Sequence, residues 1–280
     1  MQKVGIIYHP MKKEAVKLAE DMEKFLSGRG IVAWSCSAWE NEAARSKVNG
    51  TDLILSIGGD GTILRAAQAV VPGKIPITGI NLGNLGFMTE LAVAEARDGI
   101  IRLLNDEGWI DERALLEAEL SPVNSGETRK FYALNDVVLA RGAVVRVIFV
   151  EATIDDQPLT TYKADGVIVA TATGSTGYAL AAGGPILHPH AGEMVLAPIM
   201  PHLSASYCLV LPSTATVRLR LQAVHPASLS IDGHTNISIE SGAVVAVKHS
   251  RDTLRFLRIH PEADFYSSLE KRLKGKQPSK

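Results

Sequence analysis

The chain has 280 residues, 46% of them hydrophobic, and its 29 basic and 30 acidic residues give a formal net charge of −1. This length allows two packed domains, and the near-neutral charge argues against nucleic acid or an anionic membrane as the main partner. Two cysteines far apart in sequence, Cys36 and Cys208, indicate neither a disulfide framework nor a thiolate zinc site. No apolar run approaches the roughly 18 residues that cross a bilayer. We therefore expect a cytoplasmic protein with no membrane partner.

Strand and helix patterns alternate in the N-terminal part of the chain. Apolar runs bounded by turn residues predict strands, and apolar side chains at three- and four-residue spacing predict helices. The segments concerned are residues 4–8, 15–26, 53–57, 75–80 and 93–104. This alternation favours an α/β domain over residues 1–109 with an open, mostly parallel sheet.

A glycine-rich turn, Gly58-Gly59-Asp60-Gly61-Thr62, joins the strand at 53–57 to a helical pattern that we place from Ile63 to Val71. Its glycines would permit positive φ and expose backbone N–H groups, and the helix N-terminus adds a partial positive charge. These properties suit a phosphate group. Asp60 would then meet a metal ion or accept a proton from a hydroxyl. On spacing alone, a purely structural turn stays an alternative, since the segment matches neither a Walker loop nor the complete dinucleotide fingerprint.

A second glycine-rich segment, from Asn81 to Phe87, follows the next predicted strand. In an open parallel sheet, loops at the carboxyl ends of the strands face one crevice, which is where ligands bind. We therefore expect the two glycine-rich segments to lie close together.

Beyond Ile110 the pattern changes to short strands, which predicts a β-rich domain over residues 110–260, followed by a C-terminal helix and a frayed basic tail over residues 261–280. Asp155-Asp156-Gln157-Pro158 is a plausible hairpin connection, and residues 174–182 predict a short helix. The predicted strands cover residues 115–120, 133–140, 144–154, 161–170, 217–221, 244–247 and 254–259.

Several polar residues in this part are candidates for a site. Asn135-Asp136 lies within an apolar run, where a carboxylate must be paired or bind a ligand, although a strand-end turn explains it equally well. Asp165-Gly166 favours a hairpin, and Thr173-Gly174-Ser175-Thr176 suits either a sugar or phosphate or a simple helix cap. Three histidines and three arginines are not taken as site residues. We expect His188, His190 and His202 in turns, and Arg251, Arg255 and Arg258 on a solvated strand face.

Taken in order, these motifs resemble the NAD kinase family. The resemblance rests on Gly58 to Thr62, Gly79 to Phe87, Leu134 to Val137, Ala164 to Gly166 and Thr173 to Tyr178 with Gly183-Gly184-Pro185, and it covers almost the whole chain. It implies an α/β domain followed by a β-rich domain. It also implies transfer of the γ-phosphoryl group of ATP to the 2′-hydroxyl of the adenosine ribose of NAD, with a divalent metal cation such as Mg²⁺, by a homo-oligomer that is a dimer or a tetramer.

The resemblance also implies roles for individual residues. Asp60 resembles the catalytic aspartate and is a possible metal ligand, no other metal ligand being implied. Residues of the phosphate site would be Gly58, Gly59, Gly61 and Thr62. Residues that would bind NAD are Phe87, Asn135, Asp136, Asp165, Thr173, Thr176, Gly177 and Tyr178, with Asp232 and His234 as further candidates in a late Asp-Gly turn.

The chain departs from the family pattern at Asp136, where Glu is usual, at Gly177, where Ala is common, and at Ala172, where Pro is common. Two other functions stay in view: a lipid kinase of the diacylglycerol or sphingosine type, which shares the first glycine-rich turn, and a non-catalytic NAD-binding module. The sequence leaves open whether the donor is ATP or polyphosphate, whether NADH is accepted, whether NADP regulates the protein, and whether Asp60 acts as a base or as an organiser of metal and phosphates.

Overall fold

The computed structural model describes residues 1–83, 86–123, 126–144, 146–203, 205–261 and 265–274. It divides into two compact units: unit 1 comprises Met1–Glu112 and Leu254–Lys280, and unit 2 comprises Arg113–Thr253. The sequence suggested boundaries at 109/110 and 260/261, with residues 261–280 as a separate helix and tail. In the structure the chain from Leu254 onward belongs to the N-terminal unit. Outside the described residues lie Asn84 and Leu85 of the second glycine-rich segment, and residues 262–264 and 275–280 of the predicted C-terminal helix and tail.

The first half of the chain alternates strand and helix. Its elements are β1 (Lys3–Tyr8), α1 (Lys13–Ser27), β2 (Val32–Ser37), α2 (Asn41–Lys47), β3 (Leu53–Gly58), α3 (Asp60–Val70), β4 (Ile77–Asn81), β5 (Leu91–Ala92), a 3₁₀ turn (Val93–Glu95), α4 (Ala96–Leu104) and β6 (Trp109–Ser121).

The second half is β-rich until the last helix. Its elements are β7 (Arg129–Ala133), β8 (Asp136–Arg141), β9 (Ile148–Ile154), β10 (Gln157–Ala164), β11 (Gly166–Ala170), a 3₁₀ turn (Gly174–Thr176), α5 (Tyr178–Ala181), β12 (Met194–Ile199), β13 (Leu209–Leu211), β14 (Thr216–Gln222), β15 (Ala227–Ile231), β16 (Thr235–Ile239), β17 (Val244–Arg258) and α6 (Phe265–Lys274).

The sheet of unit 1 is parallel, as the sequence predicted. β1 pairs with β2 and β3, β3 pairs with β4, and β4 pairs with β5, all in parallel. The end of β17 returns to this sheet, where Phe256 pairs with Ile77 on β4. The strands are apolar on both faces, which is typical of a parallel sheet covered by helices. Helix α1 packs against this sheet and buries Ala15, Ala19, Met22 and Leu26 in one core with the strands.

Unit 2 is antiparallel. One sheet has six strands in the order β13-β12-β11-β8-β15-β16. In the other sheet β9 pairs with β10 on one side and with β14 on the other, and β14 pairs with β17. Side chains from both sheets, such as Val169 and Val217, share one buried core. The predicted hairpin is present: Asp155 and Asp156 connect β9 to β10 with φ of 49° and 63°, the positive values of a tight hairpin turn.

Arg258 does not lie on a solvated strand face, so that prediction is wrong. It is 8% exposed, and its Nε donates to Asp111 Oδ2 at 2.7 Å while Nη1 lies 3.1 Å from Glu90 Oε2. A buried guanidinium is stable there because two carboxylates pair with it. Among the described residues, no helix is both long enough and apolar enough to cross a membrane.

Candidate active site

Asp60 is the first residue of α3, three residues earlier than the apolar periodicity predicted. The fully buried strand β3 ends at Gly58, and Gly59 caps the helix in an extended conformation. Thr62 supports this start, because its Oγ1 accepts a hydrogen bond from the N–H of Gly59 at 3.4 Å. N–H groups in the first turn of a helix have no acceptor within the helix, so this end of α3 favours an anion.

The two glycine-rich segments meet at the carboxylate of Asp60. The N–H of Phe87 donates to Asp60 Oδ2 at 2.8 Å, and the N–H of Met88 donates to Oδ1 at 3.1 Å. Gly86 makes this approach possible, because a Cβ there would lie 2.6 Å from Asp60 Cγ, closer than real Cβ atoms come. The segments are neighbours, as expected, and the contact fixes the orientation of the acid.

Two properties were predicted for the glycines of the first turn, positive φ and an accessible backbone, and the first of these is absent. Gly58, Gly59 and Gly61 all lack positive φ, so that part of the prediction is wrong. Within the described part of the chain, a Cβ on Gly59 or Gly61 would meet no atom within 4 Å, whereas one on Gly58 would overlap Thr62. Open space therefore borders the start of α3 at Gly59 and Gly61, where a ligand can reach the backbone.

In unit 2, a single carboxylate organises the segment that carries Asn135 and Asp136. Asp232 lies in the turn between β15 and β16, and its Oδ1 accepts the N–H of Asn135 at 2.7 Å and of Asp136 at 3.1 Å, while Oδ2 accepts the N–H of Leu134 at 2.9 Å. The N–H of Asp232 donates in return to the carbonyl of Asp136 at 3.0 Å. Asp232 thus holds the backbone from which the two predicted side chains project.

Asp136 and Asp232 form a pair of buried carboxyl groups, each 6% exposed. Burial raises the pKa of Asp136 to about 7, and the nearby charge of Asp232 adds to this effect. Burial also raises the pKa of Asp232, but three backbone N–H groups and the charge of His234 act in the opposite direction. Because these donors stabilise the charged form, we assign the negative charge of the pair to Asp232 and the proton to Asp136.

The predicted segment Thr173-Gly174-Ser175-Thr176 and the preceding Thr171 pack against Leu134 and Asn135. Thr171 Oγ1 donates to the carbonyl of Leu134 at 2.6 Å, and the carbonyl of Asn135 accepts the N–H of Thr171 at 2.8 Å. Gly174 lies so close that a Cβ on it would be 2.7 Å from the Cα of Asn135. The side-chain Oδ1 of Asn135 is buried without a hydrogen-bond partner among the described residues. An unsatisfied buried acceptor of this kind is typical of a site that a ligand completes.

A pocket of about 490 Å³ opens in unit 2 beside these residues. Four predicted site residues line it, namely Asn135, Asp136, Tyr178 and Asp232. Sequence reasoning missed the four other polar side chains that line it: Arg141, Ser228, Ser230 and Asn236. The alternation of buried Ala227, Leu229 and Ile231 with the two serines is the signal that could have found this wall of the pocket.

Three other predicted residues of unit 2, Asp165, Thr176 and His234, are not among the residues that line this pocket. Asp165 connects β10 to β11 and lies 3.2 Å from the Nε of Arg141, so it orients a lining residue. Thr176 Oγ1 donates to the carbonyl of Thr173 at 3.2 Å, which uses this hydroxyl inside the turn. The ring of His234 lies near the Asp232 backbone, with Nδ1 3.1 Å from the Asp232 carbonyl.

Two family models match the chain. The ATP-NAD kinase N-terminal domain matches residues 29–108, and the ATP-NAD kinase C-terminal domain matches residues 134–259. An NAD kinase of Dehalococcoides mccartyi is 50% identical over 278 residues, which cover 99% of this chain and 98% of the relative. The chain belongs to the NAD kinase family.

More distant members of the family align over the same length. An NAD kinase of Chloroflexus aggregans is 41% identical over 98% of this chain and 99% of the relative. A yeast NADH kinase, crystallised with NADH, has the same fold with a TM-score of 0.83 and 24% identity, over 100% of this chain and 90% of that one. An NAD kinase from Archaeoglobus fulgidus, crystallised with ATP, gives a TM-score of 0.76 and 23% identity, over 97% and 98% of the two chains. The two-part fold expected from the sequence is therefore the fold of these solved kinases.

Proposed function

We propose that this member of the NAD kinase family transfers the γ-phosphoryl group of ATP to the 2′-hydroxyl of the adenosine ribose of NAD, and that Asp60 is its catalytic residue. The observation that carries the proposal is the setting of Asp60: a carboxylate at the start of α3, oriented by the N–H groups of Phe87 and Met88. Phosphoryl transfer depends mainly on positioning and charge stabilisation. An oriented carboxylate beside an open helix N-terminus supplies both.

We assign the phosphate groups to the start of α3. Gly59 and Gly61 leave the backbone accessible there, and the partial positive charge of the helix end favours phosphate. Gly58 and Thr62 contribute indirectly, because Thr62 holds the Gly59 cap in place. Asp60 then accepts the proton of the ribose hydroxyl, a general-base contribution of about 10²- to 10⁴-fold.

We assign NAD to the pocket of unit 2. Asn135 offers a buried side-chain oxygen without a partner among the described residues, and Asp136, whose pKa is raised to about 7, carries below that pH a proton that it can donate. Tyr178 is 48% exposed at the pocket and offers an aromatic face. Amide, carboxyl and aromatic groups together suit a nucleobase or a nicotinamide ring. Asp136 thus serves as a hydrogen-bond donor, which accounts for a carboxyl group in this buried position.

A divalent cation such as Mg²⁺ fits the residues of unit 1 if it arrives with the nucleotide. Asp60 accepts one hydrogen bond on each oxygen, and a carboxylate has lone pairs for more. The described residues contain no cluster of three or more metal-binding side chains. Mg²⁺ is commonly held by one or two carboxylates plus substrate phosphates, so Asp60 would be its protein ligand. The ion would supply charge neutralisation on the phosphates.

Two expectations about the whole protein stay part of the proposal. We propose a homo-oligomer, a dimer or a tetramer, built through the β-rich half, and a cytoplasmic location. Light scattering of the purified protein after size-exclusion chromatography tests the first, since a single species of about 30 kDa would contradict it.

One assay separates the proposed activity from its alternatives. The protein is incubated with ATP, Mg²⁺ and NAD, and NADP is measured with an NADP-specific dehydrogenase. We expect NADP to form. Absence of NADP combined with phosphorylation of diacylglycerol or sphingosine would support a lipid kinase, and NAD binding without turnover would support a non-catalytic module. Replacing ATP with polyphosphate, or NAD with NADH, in the same assay defines donor and acceptor.

A further inference from the structure

Arg272 of α6 contacts the loop that orients Asp60. Its Nη1 donates to the carbonyl of Gly86 at 2.8 Å and lies 3.2 Å from the carbonyl of Phe87. The guanidinium carbon is also 5.8 Å from the centre of the Phe87 ring, within the range of a cation–π contact. One cationic side chain thus engages two consecutive carbonyl groups.

These two carbonyls belong to the same peptide groups whose N–H bonds point at Asp60. The carbonyl of Gly86 and the N–H of Phe87 form one planar peptide group, and the carbonyl of Phe87 and the N–H of Met88 form the next. Arg272 binds the oxygen end of each group, and Asp60 binds the N–H end of each. A cation on the oxygen polarises the peptide and strengthens donation from its N–H. Arg272 and Asp60 are therefore linked through two peptide groups, without touching each other.

We propose that Arg272 is a positioning residue for Asp60, which fixes the orientation of the carboxylate through the peptide groups on either side of Phe87. This inference rests on the proposed function, since Asp60 is the residue that it serves. The arrangement gives the C-terminal helix a role in catalysis that its sequence, a short amphipathic segment, does not indicate.

The next residue of the loop is held independently. Arg258 Nη1 donates to the carbonyl of Met88 at 3.2 Å, and the same guanidinium is paired with Asp111 and Glu90. Those two carboxylate side chains are 1% and 6% exposed. Loss of Arg258 would take the guanidinium away from two buried carboxylates and destabilise the unit. A loss of activity in an Arg258 variant could therefore not be separated from a loss of folding.

Arg272 is better suited to a test, because it is partly exposed and lies near the end of the described chain. Arg272→Lys keeps the positive charge and the capacity to donate to a carbonyl, but it loses the planar guanidinium. Arg272→Ala removes both. Arg255 provides a control in the same unit: it lies on β17 and pairs at 2.9 Å with Glu112, with side chains 35% and 48% exposed.

The first measurement is steady-state kinetics of NADP formation. We expect Arg272→Ala to lower kcat by about 100-fold with KM for NAD changed by less than about threefold, because a small misplacement of a catalytic group has an effect of that size. Arg272→Lys is expected to recover part of the loss, and Arg255→Ala to match the wild type.

In the Asp60→Asn background, Arg272→Ala should have little further effect, because it acts through that carboxylate. A kcat of Arg272→Ala within about twofold of the wild type, or an equal loss with and without the Asp60 carboxylate, would overturn the inference.

The second measurement is amide hydrogen exchange in the peptide that contains Phe87 and Met88. We expect faster exchange in Arg272→Ala than in the wild type and no change in Arg255→Ala, since the loop loses an anchor only in the first variant. Unchanged exchange in Arg272→Ala would contradict the inference. This measurement needs no turnover, so it decides the role of Arg272 even if the wild type forms no NADP. Absence of NADP would overturn the proposed function but not the contact between Arg272 and the loop.

Discussion

The carboxylate of Asp232 accepts the backbone N–H of Asn135 at 2.7 Å, across 97 residues of sequence. Asp60 does the same in unit 1, where it accepts the N–H groups of Phe87 and Met88. In each unit, therefore, an aspartate stabilises a loop by accepting consecutive backbone N–H groups. Carboxylates suit this task because their two oxygens can accept several hydrogen bonds at once.

Replacing Asp232 should destabilise unit 2 and loosen the NAD pocket. Asp232→Ala leaves three N–H groups without their acceptor, and each buried unsatisfied group is unfavourable. We expect the free energy of unfolding at pH 7 to fall by about 1–3 kcal/mol, the relief of a buried charge offsetting part of the loss. The dissociation constant for NAD should rise by about tenfold or more, as Asn135 and Asp136 lose their orientation. Urea denaturation and calorimetric titration with NAD measure the two effects.

Asp156→Ala is the control for this prediction. Its side chain is 78% exposed and pairs only with Arg218, 47% exposed, among the described residues. Both aspartates have positive φ, 63° at Asp156 and 51° at Asp232, so each alanine variant carries a similar backbone cost of about 1 kcal/mol. Asp156→Ala should lose little stability beyond that cost. Equal unfolding free energies for the two alanine variants would show that Asp232 does not hold the segment.

Asp136 predicts a specific pH dependence of stability. Its pKa is raised to about 7 in the folded protein, against about 3.9 when unfolded. Between these values the folded state keeps a proton that the unfolded state releases, so this residue lowers the free energy of unfolding as pH rises, by up to about 1.4 kcal/mol per pH unit. Below the lower value it adds no slope, and above about pH 7 the penalty is complete.

Asp136→Asn isolates this contribution, because an amide does not titrate. The wild-type free energy of unfolding minus that of the variant should fall from about pH 5 to about pH 7 and then level off. Urea denaturation of both proteins at matched pH values gives the difference. A difference that stays constant over this range would mean that Asp136 has an ordinary pKa.

Local sequence signals predicted much of the fold. The hairpin at Asp155 and Asp156 was predictable because its turn depends on adjacent residues. The first glycine-rich turn was also found locally, although α3 begins at Asp60, because apolar periodicity does not register the first turn of a helix. Element type was therefore predicted better than element boundary.

Long-range contacts were beyond sequence reasoning. Arg258 was expected to be solvated, yet its partners Asp111 and Glu90 are 147 and 168 residues away in sequence. The contact of Asp232 with Asn135 is equally remote. Nothing in the residue pattern around Arg258 or Asp232 identifies these partners, since only the folded topology brings them together.

Gly86→Ala should impair catalysis by displacing Asp60. The added Cβ would lie 2.6 Å from Asp60 Cγ, so either the carboxylate or the loop must move. We expect kcat to fall by about 100-fold, with unfolding free energy lowered by about 1–2 kcal/mol. Gly83→Ala is the matched control in the same loop region, because a Cβ there would meet no atom of the described residues within 4 Å. If both variants turned over NAD at the same rate, the close contact between Gly86 and Asp60 would have no catalytic importance.

Asp60 itself distinguishes a proton acceptor from an organiser of metal and phosphates. Asp60→Asn keeps the size of the side chain but removes the charge, and we expect kcat to fall by about 10²- to 10⁴-fold while NAD still binds. Asp60→Glu keeps the charge but moves it by one methylene. If Asp60 mainly accepts the proton, Asp60→Glu should retain measurable turnover with a metal requirement like that of the wild type, and the wild type should show a solvent isotope effect on kcat. If it mainly organises the metal, both variants should need a higher Mg²⁺ concentration for half-maximal rate, because the single protein ligand is lost or displaced. Near-normal turnover in Asp60→Asn would remove Asp60 from the catalytic role altogether.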